Sequence, residues 1–241
     1  MIEKIETEHL ILRKAGESDL YNIWNNVWRD EQIAATMLWQ PTYTIDEAEK
    51  RLRRTICFQQ TFDAFFVCLK ENDEAVGFCG VKEEAHGVFE ECGICVAQKC
   101  QNKGYGKEIT TALVKLAFEQ LGGTKFVYGC FHENAHSAAV CKALGFKYSH
   151  SRDEVRKWDG YKYTADYYEL FYPQLGVKLC SMAGGGVQKI YMVFLREPSR
   201  RDRSGSDLFH LWDGFEIKMN FDRNVSCFIF VNALMHDDFF D

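Results

Sequence analysis

The feature that most constrains this chain is a strand, a glycine loop and a helix in direct succession. Ile94-Cys95-Val96-Ala97 is followed by Gln101-Asn102-Lys103-Gly104-Tyr105-Gly106 and then by an apolar-periodic segment from Lys107 onward. Gly104 and Gly106 let backbone N–H groups approach a ligand without interference from a Cβ. Those N–H groups are the unsatisfied donors of the next helix's first turn, where the helix dipole also favours an anion. A diphosphate suits such a loop, with Lys103 and Lys107 adding positive charge; a plain tight turn is the alternative. The Gly-Lys-Ser/Thr ending of a Walker loop is missing, and so is the third glycine of a dinucleotide fingerprint.

The elements around the loop follow from periodicity. Leu10-Ile11-Leu12 reads as a strand, and Ser18 and Asp19 offer an N-cap for a helix carrying Leu20, Ile23, Trp24 and Val27. Thr44 with Glu47 makes a capping box for a second helix with Ile45, Ala48, Leu52 and Ile56 on one face. Strands are expected at 64–69, 76–81 and 88–97, an antiparallel meander, and again at 126–131, 147–155 and 161–170. Between them lie a helix with Ile109, Leu113, Leu116, Ala117 and Leu121 inward, stopped by Gly122-Gly123, and a helix over 134–144 stopped by Gly145. Beyond Pro173 the texture changes to a triple glycine at Gly184–Gly186, an Arg/Ser-rich stretch and an aromatic-rich end, with no periodic element legible. The organisation expected is a domain over 1–174 and an appendage over 175–241, which could cover an edge strand, support a homodimer or be disordered.

Composition narrows the class. No apolar run is long enough to span a bilayer, and the first residues lack the apolar core of a secretory signal, so a cytoplasmic protein without membrane contact is expected. Ten scattered cysteines then read as reduced, buried thiols, with Cys92 and Cys95 on opposite faces of one strand rather than sharing a metal. A net charge of −6 disfavours nucleic acid as a partner and mildly favours a cationic acceptor such as an amine.

The motifs together resemble one family. Val96, followed by Gln101-Asn102-Lys103-Gly104-Tyr105-Gly106, resembles the GNAT signature in which Arg or Gln precedes x-x-Gly-x-Gly/Ala. Thr7-Glu8-His9-Leu10-Ile11-Leu12-Arg13 with Asp19 resembles the first strand of the branch that includes ribosomal-protein N-terminal (alanine/serine) acetyltransferases. Asn134-Ala135-His136-Ser137, then Leu144-Gly145-Phe146, resembles that branch's penultimate helix; the likeness runs from residue 3 to about 172.

This resemblance implies an α+β (α/β/α) fold, with a mixed, mostly antiparallel sheet splayed at the cofactor strand and flanked by helices. It implies an acetyl-CoA-dependent N-acetyltransferase acting by direct attack in a ternary complex, without a metal. The acceptor is a primary amine, either a protein N-terminus or a small molecule. By the same likeness, groups around Val96 pair with the pantetheine arm. Gln101, Asn102, Lys103, Gly104, Tyr105, Gly106 and Lys107 hold the pyrophosphate, while Asn134 and Ser137 line the other wall. Glu91, where relatives carry an acid, is the implied base, a solvated strand carboxylate being the alternative; Glu90 then points to the opposite face. Where many relatives carry a tyrosine as general acid this chain has Cys141. A thiol could serve, a core cysteine is the bland reading, and Ser137 is a second candidate.

Three further features bear on function. His132-Glu133-Asn134-Ala135-His136 matches the zincin H-E-x-x-H pattern, but a helix starting near Asn134 leaves His132 off the face that carries His136. Trp39 resembles a family feature beside the acceptor, with packing as the alternative. Glu84, Asp153, Glu154 and Asp159 could rim an acceptor cleft or simply be solvated. The class that competes with an enzyme is a catalytically silent acyl-CoA-binding or regulatory module, favoured by Cys141 at the tyrosine position.

Overall fold

The computed structural model describes residues 2–172 and, further on, the backbone of five short strands. The chain divides into two compact units, Met1–Tyr172 and Pro173–Asp241.

In the first unit nine strands form one sheet. Along its main path the order is β1 (Lys4–Glu6), β2 (Leu10–Arg13), β3 (Asp63–Leu69), β4 (Ala75–Ala85), β5 (Val88–Glu91), β7 (Lys125–Phe131), β9 (Lys162–Phe171) and β8 (Lys147–Val155). The two-residue β6 (Cys95–Val96) pairs with β4 off that path. Every pairing is antiparallel except β5 with β7. The run Ala64-Phe65-Phe66-Val67-Cys68-Leu69 is buried throughout, as a strand covered on both faces must be.

Helices flank the sheet. The segment α1 (Leu20–Ile23), extended by a π-helical stretch (Trp24–Trp28), lies against β4, and α3 (Ile45–Gln59) against β3. Between them α2 (Glu31–Ala35) is capped by Asp30, whose carboxylate accepts from the amides of Gln32 and Ile33. Further on, α4 (Tyr105–Lys115) contacts β4, β6 and α5 (Ala135–Ala143), and α5 packs on β7. The capping box holds as read: Thr44 Oγ1 accepts from Glu47 N at 3.3 Å and Glu47 accepts from Thr44 N at 3.2 Å.

Two expectations are corrected. Asp19 does not cap α1 with its side chain; its buried carboxylate is held by Arg13 through two bonds of 2.8 Å and by the Gly16 amide. That ion pair fastens β2 to the start of α1. The second correction concerns the continuous strand expected over 88–97. It breaks after Glu91, because Gly93 takes φ +109, a conformation that other residues strongly disfavour.

That break creates a fork. Only Val88–Glu90 pair with β7, opposite Lys125–Val127. The chain then crosses to β4, where Val96 and Cys95 sit opposite Gly77 and Phe78. Two glycines on β4 make room for the crossing. A Cβ on Gly77 would lie 2.2 Å from the Cys95 carbonyl oxygen, and one on Gly80 would lie 2.6 Å from Cys92 Sγ.

In the second unit β10 (Lys178–Ser181), β11 (Ile190–Val193) and β14 (Ile229–Phe230) form one antiparallel sheet, and β12 (Asp207–Leu211) pairs with β13 (Phe215–Met219). These strands had no legible signal in the sequence. The triple glycine and the Arg/Ser-rich stretch lie outside the described residues.

Because backbone rather than a pliable side chain stands in the way at position 77, Gly77→Ala is expected to cost about 2–4 kcal/mol of folding stability, measured by urea denaturation.

Candidate active site

The glycine loop presents donors as its sequence suggested. Asn102 (φ 60) and Gly104 (φ 84) are both left-handed, and the first helical bond runs from Glu108 N to Gly104 O at 3.1 Å. The amides from Asn102 to Lys107 therefore find no acceptor among the described residues. A Cβ built on Gly104 would meet nothing within 4 Å, so the loop's concave side is open. Gln101 donates from Nε2 to the Val96 carbonyl at 3.5 Å, tying the loop to β6. Tyr105 is half-buried with its ring 5.9 Å from that of His9.

A groove of about 580 Å³ runs from this loop along β6 to the start of α5. Val96, Gln101, Asn102, Gly104, Tyr105, Gly106 and Lys107 line it together with Asn134 and Ser137, whereas Lys103 does not. Asn134 is the N-cap of α5, its Oδ1 accepting from Ser137 N at 3.1 Å, so its carbonyl oxygen already has a partner. Ile33 and Met37 from the α2 region, Ile94, Tyr128 and Val140 complete the apolar part of the lining.

Tyr128 has no distinguishing signal in the sequence because it shares a buried face of β7 with Phe126. It is indeed buried, yet its hydroxyl reaches the groove and donates to Ser137 Oγ at 3.5 Å. Burial, reinforced by the charge of Glu91, holds the Tyr128 hydroxyl well above its ordinary pKa, against a smaller opposing effect of Ser137. Cys141, by contrast, is fully buried among core residues and does not line the groove; burial pushes its thiol up to about 12. It packs the core instead of facing a reacting atom.

Glu91 sits at the apex of the fork, outside the groove's own lining. Its carboxylate accepts from Gly93 N at 2.5 Å and lies close to Gly129 on the facing strand. Burial pushes it up to about 7, further than its backbone bonding and Lys82 pull it down. Glu90, on the opposite face, is also raised by burial and does not line the groove either.

The remaining candidates separate cleanly. His132 Nδ1 is 2.9 Å from Asp166 Oδ2 on β9, outside α5, while His136 lies on α5. Among the described residues no group of three His, Cys, Asp or Glu side chains is arranged to hold a metal ion. The four acidic residues of the supposed rim are each engaged nearby: Glu84 by Lys82, Asp153 by Thr164, Glu154 by Arg152 and Asp159 by Arg156. Trp39 packs edge-on to Phe78, with centroids 6.4 Å apart, and lies under the Arg51 guanidinium.

A sheet forked beside an anion-accepting loop is the architecture of an acyl-CoA-dependent acyltransferase. The chain belongs to the GNAT acetyltransferase family, whose acetyltransferase (GNAT) domain matches residues 9–147, more than half of the 241 residues. It is similar to a GNAT-family acetyltransferase from Bacillus anthracis (19% identity, 70% of this chain and 98% of that chain, TM-score 0.61). A ribosomal-protein alanine acetyltransferase from Vibrio fischeri is similar too (18% identity, 70% of this chain and 96% of that chain, TM-score 0.57). So is RimL, a ribosomal alpha-N-protein acetyltransferase in complex with coenzyme A (19% identity, 70% of this chain and 98% of that chain, TM-score 0.60). No curated protein matches the sequence. Identity at this level establishes the fold and leaves the acceptor open.

The raised Glu91 carboxyl has a consequence for stability. Between 4.5 and about 7 the folded chain holds a proton that the unfolded chain releases, so this group's contribution falls as pH rises through that window. Urea denaturation should therefore find Glu91→Gln more stable than wild type by about 1–3 kcal/mol at pH 8, with a much smaller difference at pH 5.

Proposed function

We propose that the chain moves an acetyl group from acetyl-CoA to a primary amine by direct attack in a ternary complex. The observation that carries this reading is the run of unpartnered amides from Asn102 to Lys107, opening into a groove that passes Val96 towards the fork holding Glu91. Acetyl-CoA supplies an acyl thioester whose carbonyl carbon is the electrophile. The loop amides and Lys107 fit its diphosphate, with Lys103 adding longer-range charge, and the apolar wall of Ile33, Met37 and Val140 fits the arm. Among the described residues β6 pairs along one edge, to β4, and its other edge can bond the arm and stabilise negative charge developing on the carbonyl oxygen.

Proton movements then fall to the chain's own groups. Glu91 takes the proton of the attacking amine, through a water because the carboxylate stands back from the groove. A carboxyl near 7 is well matched to that task, and an α-amine (pKa about 7.7–8) needs less help than a lysine (about 10.4). The Tyr128–Ser137 hydroxyl pair supplies a proton to the departing thiolate at the end of the groove, the role that Cys141 cannot reach from the core. The acceptor is a protein N-terminus or a small amine; the similarity to ribosomal-protein acetyltransferases supports the former.

Thiol release over a panel of amines tests the reading, with kcat/KM expected to rise through about pH 7 as Glu91 loses its proton. Glu91→Gln should lower kcat roughly 10²-fold and flatten that limb while leaving coenzyme A affinity unchanged. Binding without turnover of any amine would return the chain to a silent acyl-CoA module. For the loop, Lys107→Glu is expected to weaken coenzyme A binding about tenfold by calorimetry with little change in Tm, since Lys107 is exposed.

A further inference from the structure

A second cleft, of about 490 Å³, lies on the α3 side of the 39–42 loop. Trp39, Gln40, Thr42, Arg51, Arg54 and Phe58 line it. Two guanidinium groups thus face one hollow. The ion pair on α3 joins Arg53 to Glu49 at 3.7 Å and leaves Arg51 and Arg54 without a carboxylate among the described residues. Glu47, also in the wall, is spent on the backbone of Thr44 as the capping box.

Arg51 is held as a recognition group is held. Its guanidinium lies between two indoles, 4.7 Å from the Trp28 centroid and 4.4 Å from that of Trp39. Nη1 donates to the Gln40 carbonyl at 3.3 Å and to Thr42 Oγ1 at 2.9 Å, while Nε and Nη2 have no partner among the described residues. The two ring contacts and the Nη1 bonds hold the guanidinium in place and leave the Nε–Nη2 edge unspent, the edge that can pair bidentately with a carboxylate. Trp39 belongs to the same wall, and its Nε1 is buried without a hydrogen-bond partner among the described residues. A half-buried cation with no counter-ion loses hydration that a bound anion would offset.

The cleft also adjoins the chemistry. Phe78, edge-on to Trp39, sits opposite Cys95 in the sheet and closes over Gly93, where a Cβ would lie 2.9 Å from its ring. One aromatic side chain therefore stands between the arginine cleft and the bulge beside Glu91.

We infer that this cleft is the anion subsite of the acceptor: the amine that is acetylated also carries a carboxylate, which Arg51 and Arg54 bind. The inference rests on the proposed transfer to an amine and names the acceptor's class.

The test uses the full chain saturated with coenzyme A and two short peptides with free N-terminal amines. One carries glutamates at its second and third positions, the other glutamines. Calorimetry is expected to find the acidic peptide bound about tenfold or more tightly than its amide twin, as hydrogen bonds to a charged group allow. The preference should shrink to about twofold or less in Arg51→Met combined with Arg54→Gln, with coenzyme A affinity unchanged as the check on folding. Should Arg51→Met prevent folding, Arg54→Gln alone, on the exposed side of α3, should still cut the preference by at least half. Equal binding of the twins, no saturable binding of the acidic one, or a preference that survives the substitutions would overturn the inference. Acetylation of both peptides with the same kcat/KM would overturn it while leaving the transferase reading intact. Failure to bind coenzyme A would instead count against that reading.

Discussion

The parting of β5 from β7 is the constraint on which the rest depends. Parallel pairing stops after Glu90, and the backbone is drawn instead to β4 through Cys95 and Val96. Three glycines permit it: Gly93 by its left-handed backbone, Gly77 and Gly80 by lacking a Cβ where the crossing chain comes close. From this one departure follow the groove, the edge of β6 left unpaired among the described residues and the position of Glu91 at the apex. A sheet without the fork would have bonded those edges to each other.

Around that fork the protein keeps two charges at a cost in solvation. Glu91 on one side is forced towards its neutral form by burial and held by the Gly93 amide. Arg51 on the other is lowered to about 10 by burial, with no acid to offset it among the described residues. Contrast Arg13 and Asp19, also withdrawn from water but paired to each other, where the role is to fasten β2 to α1. Glu91 and Arg51 have no ion-pair partner among the described residues. Strained electrostatics of that kind mark where a protein works rather than where it is held together. The whole-chain charge of −6, which favoured a cationic partner, averages this local pair of arginines away.

Much of the architecture was legible in the sequence. The capping box at Thr44 and Glu47, the left-handed glycines after α4 and α5, and the donor-rich loop at Gly104 are local motifs, and each occurs where its residues placed it. Errors came where distant chain intervened. Asp19 looked like a cap and is an ion-pair partner of Arg13 on β2. The strand expected over 88–97 is split by a competitor strand some fifteen residues earlier in the chain. Cys141 could be aligned to a chemical position, but only packing reveals that its thiol is sealed in the core while Tyr128, unremarked within its strand, extends its hydroxyl to the groove. Five strands beyond residue 173 had no periodic signal at all.

By itself, then, the sequence determined what hydrogen bonding between near neighbours can dictate. That includes where helices start and stop, which amides remain unsatisfied at the head of α4, and hence that an anion suits the loop from Gln101 to Gly106. Only the tertiary structure decided which side chains surround a reacting group. Whether a carboxyl is near 4.5 or near 7, or a guanidinium is paired or stranded between indoles, depends on strands and helices remote in the chain. Desolvation is set by the whole shell of neighbours, and no local pattern of residues encodes that shell.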